Sequence, residues 1–157
     1  MGNGTFRLCL SALALALIGQ GAQAACRDDT VWLRGDWGSA SFRVEIADDA
    51  ASRAQGLMDV EEMPASAGML FVYEREAPVS FWMKNTLIPL DMVFADAQGR
   101  VVSVHDRAVP GDLTPIPSGA PSQFVLEING GLADQLGIVP GSEMRHPAIA
   151  EPVWPCE

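Results

Sequence analysis

The chain has 157 residues, 48% of them hydrophobic and 19% charged, which suits one domain with a buried core and excludes a disordered tail protein. Ten basic residues against twenty acidic ones give a formal net charge of −10, a sign that repels phosphate backbones, so no nucleic-acid partner is expected. Three cysteines and two histidines, none at paired ligand spacing, indicate neither a structural metal site nor a metal cofactor.

The N-terminal stretch has the order of a secretory signal: Arg7 for positive charge, an apolar run from Leu8 to Ile18, then Ala22-Gln23-Ala24 as a small-x-small cleavage site. A membrane span needs about 17 to 25 apolar residues and this run is shorter, so no stable span is expected. The reading places residues 1–24 in a signal peptide cleaved near Ala24 and the protein outside the cytoplasm, in the periplasm. Lipidation at Cys26 would want a branched apolar residue where Gln23 stands. Cys9 leaves with the signal. Cys26 and Cys156 then form the one remaining pair, and an oxidising compartment favours a disulfide between them over two free thiols.

Residues 25–40 read as an N-terminal segment without a predicted element, and a single β-rich domain is expected over 41–146. Ser41 to Ala47 alternates as a strand. Asp48 and Asp49 can cap a short helix over Ala50 to Met58. Met69 to Tyr73 lacks polar alternation and reads as a strand buried on both faces. Val79 to Lys84 turns Val79, Phe81 and Met83 one way and Ser80, Trp82 and Lys84 the other. Asp91 to Ala95 and Arg100 to Val104 flank a hairpin turn at Asp96 to Gly99. The thirteen positions from Val109 to Pro121 hold four prolines and two glycines, which reads as a shaped loop. Ser122 to Ile128 points Phe124, Leu126 and Ile128 inward and Gln123, Val125 and Glu127 outward. A short helix spans Leu132 to Leu136 and ends at Gly137. A last strand runs near Glu143 to Arg145, and residues 147–157 form an extended tail. Closely spaced strands with two short helices predict a mainly β (α+β) fold, an antiparallel β-sandwich or partly open β-barrel.

Val79-Ser80-Phe81-Trp82-Met83-Lys84-Asn85-Thr86, followed by Ile88-Pro89-Leu90-Asp91, resembles the signature of the domain-of-unknown-function family numbered 192. Arg53 to Met58, Gly68 to Phe71, Phe124 to Glu127 and Gly137 to Gly141 agree with it, so the resemblance runs from about Phe42 to Met144. It implies a compact, mostly β domain, often exported, with no agreed biochemical activity. Many relatives carry cysteines in the proline-rich loop. Thr114 to Gly119 has none here, which argues against a redox or metal role for it.

The strongest candidate surface is Trp82 to Asp91. Trp82, Lys84, Asn85, Thr86 and Asp91 combine an aromatic plane, a cation, an amide, a hydroxyl and a carboxylate, a lining suited to a small polar or glycan-like ligand. The structural alternative has Trp82 covering a sheet face, Lys84 paired with Asp91 or Glu127, and Asn85-Thr86 satisfying a turn. Arg53 and Glu127 are secondary candidates, Arg53 through its planar fork and Glu127 as an ion-pair partner or general base. Six methionines remain after the signal. Soft thioethers suit Cu(I), but most of these fall on apolar faces and read as core. No nucleophile elbow, phosphate loop or zinc-protease string occurs. A ligand-binding or accessory protein of the envelope, expected to be a monomer, is therefore the leading reading. A hydrolase or transferase using Lys84, Asp91 and Glu127 as acid-base groups, and a scaffold domain for a protein partner, are its rivals.

Overall fold

The computed structural model of the protein describes residues 1–2 and 25–156; nearly all of the predicted signal peptide lies outside the described residues. The described chain forms β1 (Thr30–Gly35), β2 (Gly38–Ala47), α1 (Ala50–Gln55), β3 (Ala67–Ala77), β4 (Ser80–Phe81), β5 (Leu90–Ala95), β6 (Val101–Ala108), β7 (Ile116–Pro117), β8 (Ser122–Asn129), α2 (Leu132–Leu136) and β9 (Glu143–Arg145). Seven strands make one sheet in the order β6-β5-β8-β3-β2-β1-β9, while β4 and β7 pair separately. Among the described residues only the β2–β3 pair is parallel, and the crossover that parallel pairing requires is the connection carrying α1.

The large sheet curls into a half-barrel whose two edges meet at one corner. There Val101 N donates to Ser142 O at 2.8 Å and Met144 N to Gly99 O at 2.7 Å, beside an antiparallel bridge between Arg100 and Glu143. Gly99 adopts φ 80°, and a Cβ there would lie 2.6 Å from the Met144 carbonyl oxygen. Closure at this corner therefore needs glycine. The expected partly open barrel with two short helices is what forms.

Two cores flank the sheet. Val31, Leu33, Val44, Leu70, Phe124 and Leu126 fill the barrel interior. On the outer face of β3, β5 and β8, Met69, Phe71, Met92, Phe94 and Val125 form a second buried cluster. That cluster is roofed by the segment after α1, with Val60 and Met63, and by the small sheet, where Phe81 meets Phe71 and Phe94 edge to face at centroid distances of 4.9 and 5.9 Å.

Several local expectations are met. Asp49 caps α1 by accepting from Ala51 N and Ser52 N, and Ser52 returns the bond to the Asp49 backbone. That helix stops at Gln55, short of the expected Met58, because Gly56 turns away at φ 48°. α2 spans the predicted residues and ends in a left-handed Gly137. β1 lies in the N-terminal segment, for which no element was predicted; Val31 and Leu33 are fully buried. The tail is pinned along its length: Ile149 is buried, Val153 N donates to Gln98 O at 3.0 Å, and Cys156 is disulfide-bonded to Cys26 with Cα atoms 5.4 Å apart.

Candidate functional site

β4 is shorter than the strand expected over Val79 to Lys84, yet the alternation survives. Met83 is fully buried, and Trp82 stands 49% exposed. Lys84 shares the outer side, its Nζ 5.2 Å from the Trp82 ring centroid. The chain then turns through Asn85 at φ 53°, a left-handed position that asparagine tolerates. Asn85 O accepts from Asp59 N at 2.8 Å, tying this turn to the segment after α1. Thr86 is buried and donates its hydroxyl to Lys84 O at 3.3 Å, which leaves its oxygen lone pairs available.

The proline-rich loop is the frame for this turn. Asp112 O accepts from Met83 N at 2.8 Å, and Met83 O accepts from Gly111 N at 3.0 Å. Ser118 N donates to Val79 O at 2.9 Å, while the Ser118 hydroxyl accepts from Val79 N at 3.2 Å. Gly111, Asp112 and Ser118 thus hold the loop as a strap against the Trp82 segment.

Trp82, Thr86, Glu127 and Arg53 border one narrow slot together with Leu57, Met58, Phe71 and Phe81. Its free space is about 40 Å³, room for a few water molecules or one small polar group, a single water needing about 10 to 15 Å³. Glu127 reaches it from the second core, not from an exposed face. Its strand neighbours are Met69 on β3 and Met92 on β5, and it is only 4% exposed. Its carboxyl makes no ion pair with Lys84 or any other described residue. Burial alone raises its pKa to about 8, so it is predominantly a neutral acid at pH 7, able to donate a hydrogen bond.

Arg53 borders the slot, but its guanidinium is already engaged. It donates to Asp48 O at 2.7 Å, to Val72 O at 2.8 Å and to Glu74 Oε1 at 3.0 Å. It clamps α1 to β3.

Asp91 lies elsewhere. It is fully buried and accepts from Arg107 N at 2.7 Å, Gly131 N at 2.8 Å and Ala133 N at 2.7 Å. Gly131 caps α2 without a side chain, so Asp91 supplies from a neighbouring strand the acceptor that a polar cap would have provided. Of the sequence candidates, the structure therefore gathers Trp82, Thr86, Glu127 and Arg53 around the slot. Lys84 stays over Trp82, Asn85 forms the turn, and Asp91 is removed to the helix. Leu57, Met58, Phe71 and Phe81 were not read as site residues, although Arg53 to Met58 and Gly68 to Phe71 both belong to the recurrent strings that carried the resemblance.

A family profile described as an uncharacterized ACR, DUF192, matches residues 31–146. The chain belongs to the DUF192 family. Two solved structures are similar to this DUF192 domain. A protein of unknown function from Novosphingobium aromaticivorans is 43% identical, with 74% of this chain and 83% of that one covered and a TM-score of 0.73. A candidate transcription regulator from Sinorhizobium meliloti is 36% identical, with 80% and 98% covered and a TM-score of 0.75. No curated protein matches the chain.

Proposed function

We propose that this DUF192 protein is an exported, periplasmic binding domain whose Trp82 slot takes an uncharged, hydroxyl-bearing ligand of the sugar type. The observation that carries the reading is Glu127, a neutral carboxyl on the wall of a slot beside a half-exposed tryptophan. A pyranose face can stack on Trp82 while one hydroxyl enters the slot, where Glu127 donates to it and Thr86 accepts from it. The slot's size limits what enters to a single group, so the bulk of the ligand stays outside against the indole. An ionic ligand is disfavoured because the one cation bordering the slot, Arg53, is already engaged by its own partners. Export is supported by the N-terminal pattern and by the Cys26–Cys156 disulfide, and no described helix is long and apolar enough to cross a membrane.

A raised carboxyl pKa is also what a general acid needs, the observation that favours a glycan-cleaving reading. Against it, Asp91 and Lys84 do not border the slot, so no second acid-base group faces Glu127 there. The description of the Sinorhizobium relative does not transfer readily to a chain of net charge −10.

The test is a tryptophan-fluorescence titration of the purified protein with a panel of neutral mono- and disaccharides. Binding is expected to be saturable and absent in Trp82→Ala. A folded protein indifferent to the whole panel, or an unchanged response in Trp82→Ala, removes the reading.

A further inference from the structure

The outer face of the β2–β1–β9 edge carries a second arrangement that is independent of the Trp82 slot. Alternation along β1 turns Val31 and Leu33 into the barrel and Trp32 and Arg34 outward. The strand register then sets Ser41, Trp32 and Arg145 in one row, and Ser39, Arg34 and Glu143 in the next. Trp154, from the tail, lies against both arginines, its ring centroid 4.4 Å from the Arg34 guanidinium and 4.2 Å from that of Arg145. Arg145 is also 5.1 Å from the Trp32 ring. Trp32, Arg34, Ser39, Ser41, Arg145 and Trp154 line a cavity of about 570 Å³.

The two arginines differ in how their charge is met. Arg34 is paired with Glu143, at 2.6 Å through Nη2 and 2.7 Å through Nε. Arg145 has no carboxylate and no hydrogen-bond acceptor among the described residues, and its Nε is closed off from solvent without a partner. Acidic residues outnumber basic ones twenty to ten in this chain, so a half-buried cation without a counter-charge stands against the composition. Indole rings cover guanidinium faces and satisfy none of the in-plane N–H groups. The two Nη groups, which reach solvent where Nε does not, are the donors left to hold an oxyanion.

The geometry points to a binding site for a small oxyanion, a carboxylate or a phosphate group, held by Arg145 between Trp32 and Trp154 with the Ser39 and Ser41 hydroxyls at the rim. The tail wall of this site is Trp154, two positions before Cys156, so the Cys26–Cys156 disulfide holds that wall in place. Val153 N holds the same wall from its other side through Gln98 O, so breaking the disulfide loosens the wall rather than releasing it, and weakens the site.

The oxidised protein is titrated with sodium glucuronate and, separately, with inorganic phosphate, against chloride at equal ionic strength, following the indole N–H resonances of Trp32 and Trp154. Saturable shifts are expected. A response to glucuronate alone assigns a carboxylate ligand, a response to phosphate alone assigns a phosphate group, and a response to both assigns an oxyanion in general. Arg145→Gln, shown folded by thermal unfolding, loses the shifts. Arg145→Lys keeps the charge without the fork and binds about tenfold more weakly. The Cys26→Ser/Cys156→Ser double variant also binds more weakly, and Trp82→Ala binds as wild type does. Absence of a saturable shift with either anion overturns the proposal, as does an unchanged response in Arg145→Gln.

Discussion

Asp91 and Glu127 sit on paired strands, β5 and β8, yet their carboxyl groups open on opposite faces of the sheet. Asp91 stands opposite Ile128, one register step from the Met92–Glu127 pair, and that single step reverses the face. On one face, three backbone N–H groups hold Asp91 in place. On the other, Glu127 is buried among apolar side chains and stays protonated. One carboxyl group organises the fold, and the other makes no ion pair with a described residue.

That difference makes stability depend on pH in a stated direction. The Glu127 carboxyl is raised from 4.5 to about 8 in the fold, so between those values the native state holds a proton that the unfolded chain has released. The Glu127 contribution is fully present below about pH 4.5, declines as pH rises at up to about 1.4 kcal/mol per unit, and is lost above about pH 8. Burial lowers the pKa of His146, which opposes this trend below its ordinary range near 6.5. Urea unfolding of wild type and Glu127→Gln at matched pH isolates the Glu127 part: the difference between the two should slope across this window, and a flat difference contradicts the burial argument.

Removing the Asp91 carboxyl strands three backbone donors, two of them buried. Asp91→Ala is expected to cost about 2 to 4 kcal/mol, read by urea denaturation. Asp91→Asn keeps one acceptor oxygen and should cost less.

Neighbouring aromatic residues should behave in opposite ways. Phe81 bridges Phe71 and Phe94, and Phe81→Ala is expected to lose about 3 kcal/mol. Trp82 is half exposed, and Trp82→Ala should stay within about 0.5 kcal/mol of wild type. Thermal unfolding of the two variants checks the contrast, and a large loss for Trp82→Ala would make that residue structural.

The Cys26–Cys156 disulfide joins residues 130 apart in sequence, a loop length for which chain entropy gives about 4 to 5 kcal/mol. Mass spectrometry of the alkylated protein should find both cysteines blocked by the bond. Reduction should lower the urea midpoint strongly.

The sequence pattern made the architecture legible where periodicity and caps act locally. Asp49 with Ser52, Gly137, and the turn from Asp96 to Gly99 each carry their own geometry. β8 shows where that legibility ends. Its alternation assigned Glu127 to the face away from Phe124, correctly, but periodicity does not say whether that face is covered, and here α1, its following segment and the β4–β7 pair roof it. Asp91 was read as a ligand group because nothing local marks the approach of α2 from forty residues away. β1 escaped notice because only two of its six residues, Val31 and Leu33, are fully buried, too short an alternation to stand out.

The role of Glu127 in the slot is tested most directly by the pH dependence of sugar binding. A neutral saccharide that binds the wild-type protein is titrated calorimetrically from about pH 6 to about pH 9, with Glu127→Gln in parallel. Affinity should fall as pH passes about 8 in wild type, where Glu127 ionises and an uncharged hydroxyl must share the slot with a buried charge, and the profile of Glu127→Gln should be flat. A flat wild-type profile, or identical profiles in the two proteins, would contradict that role.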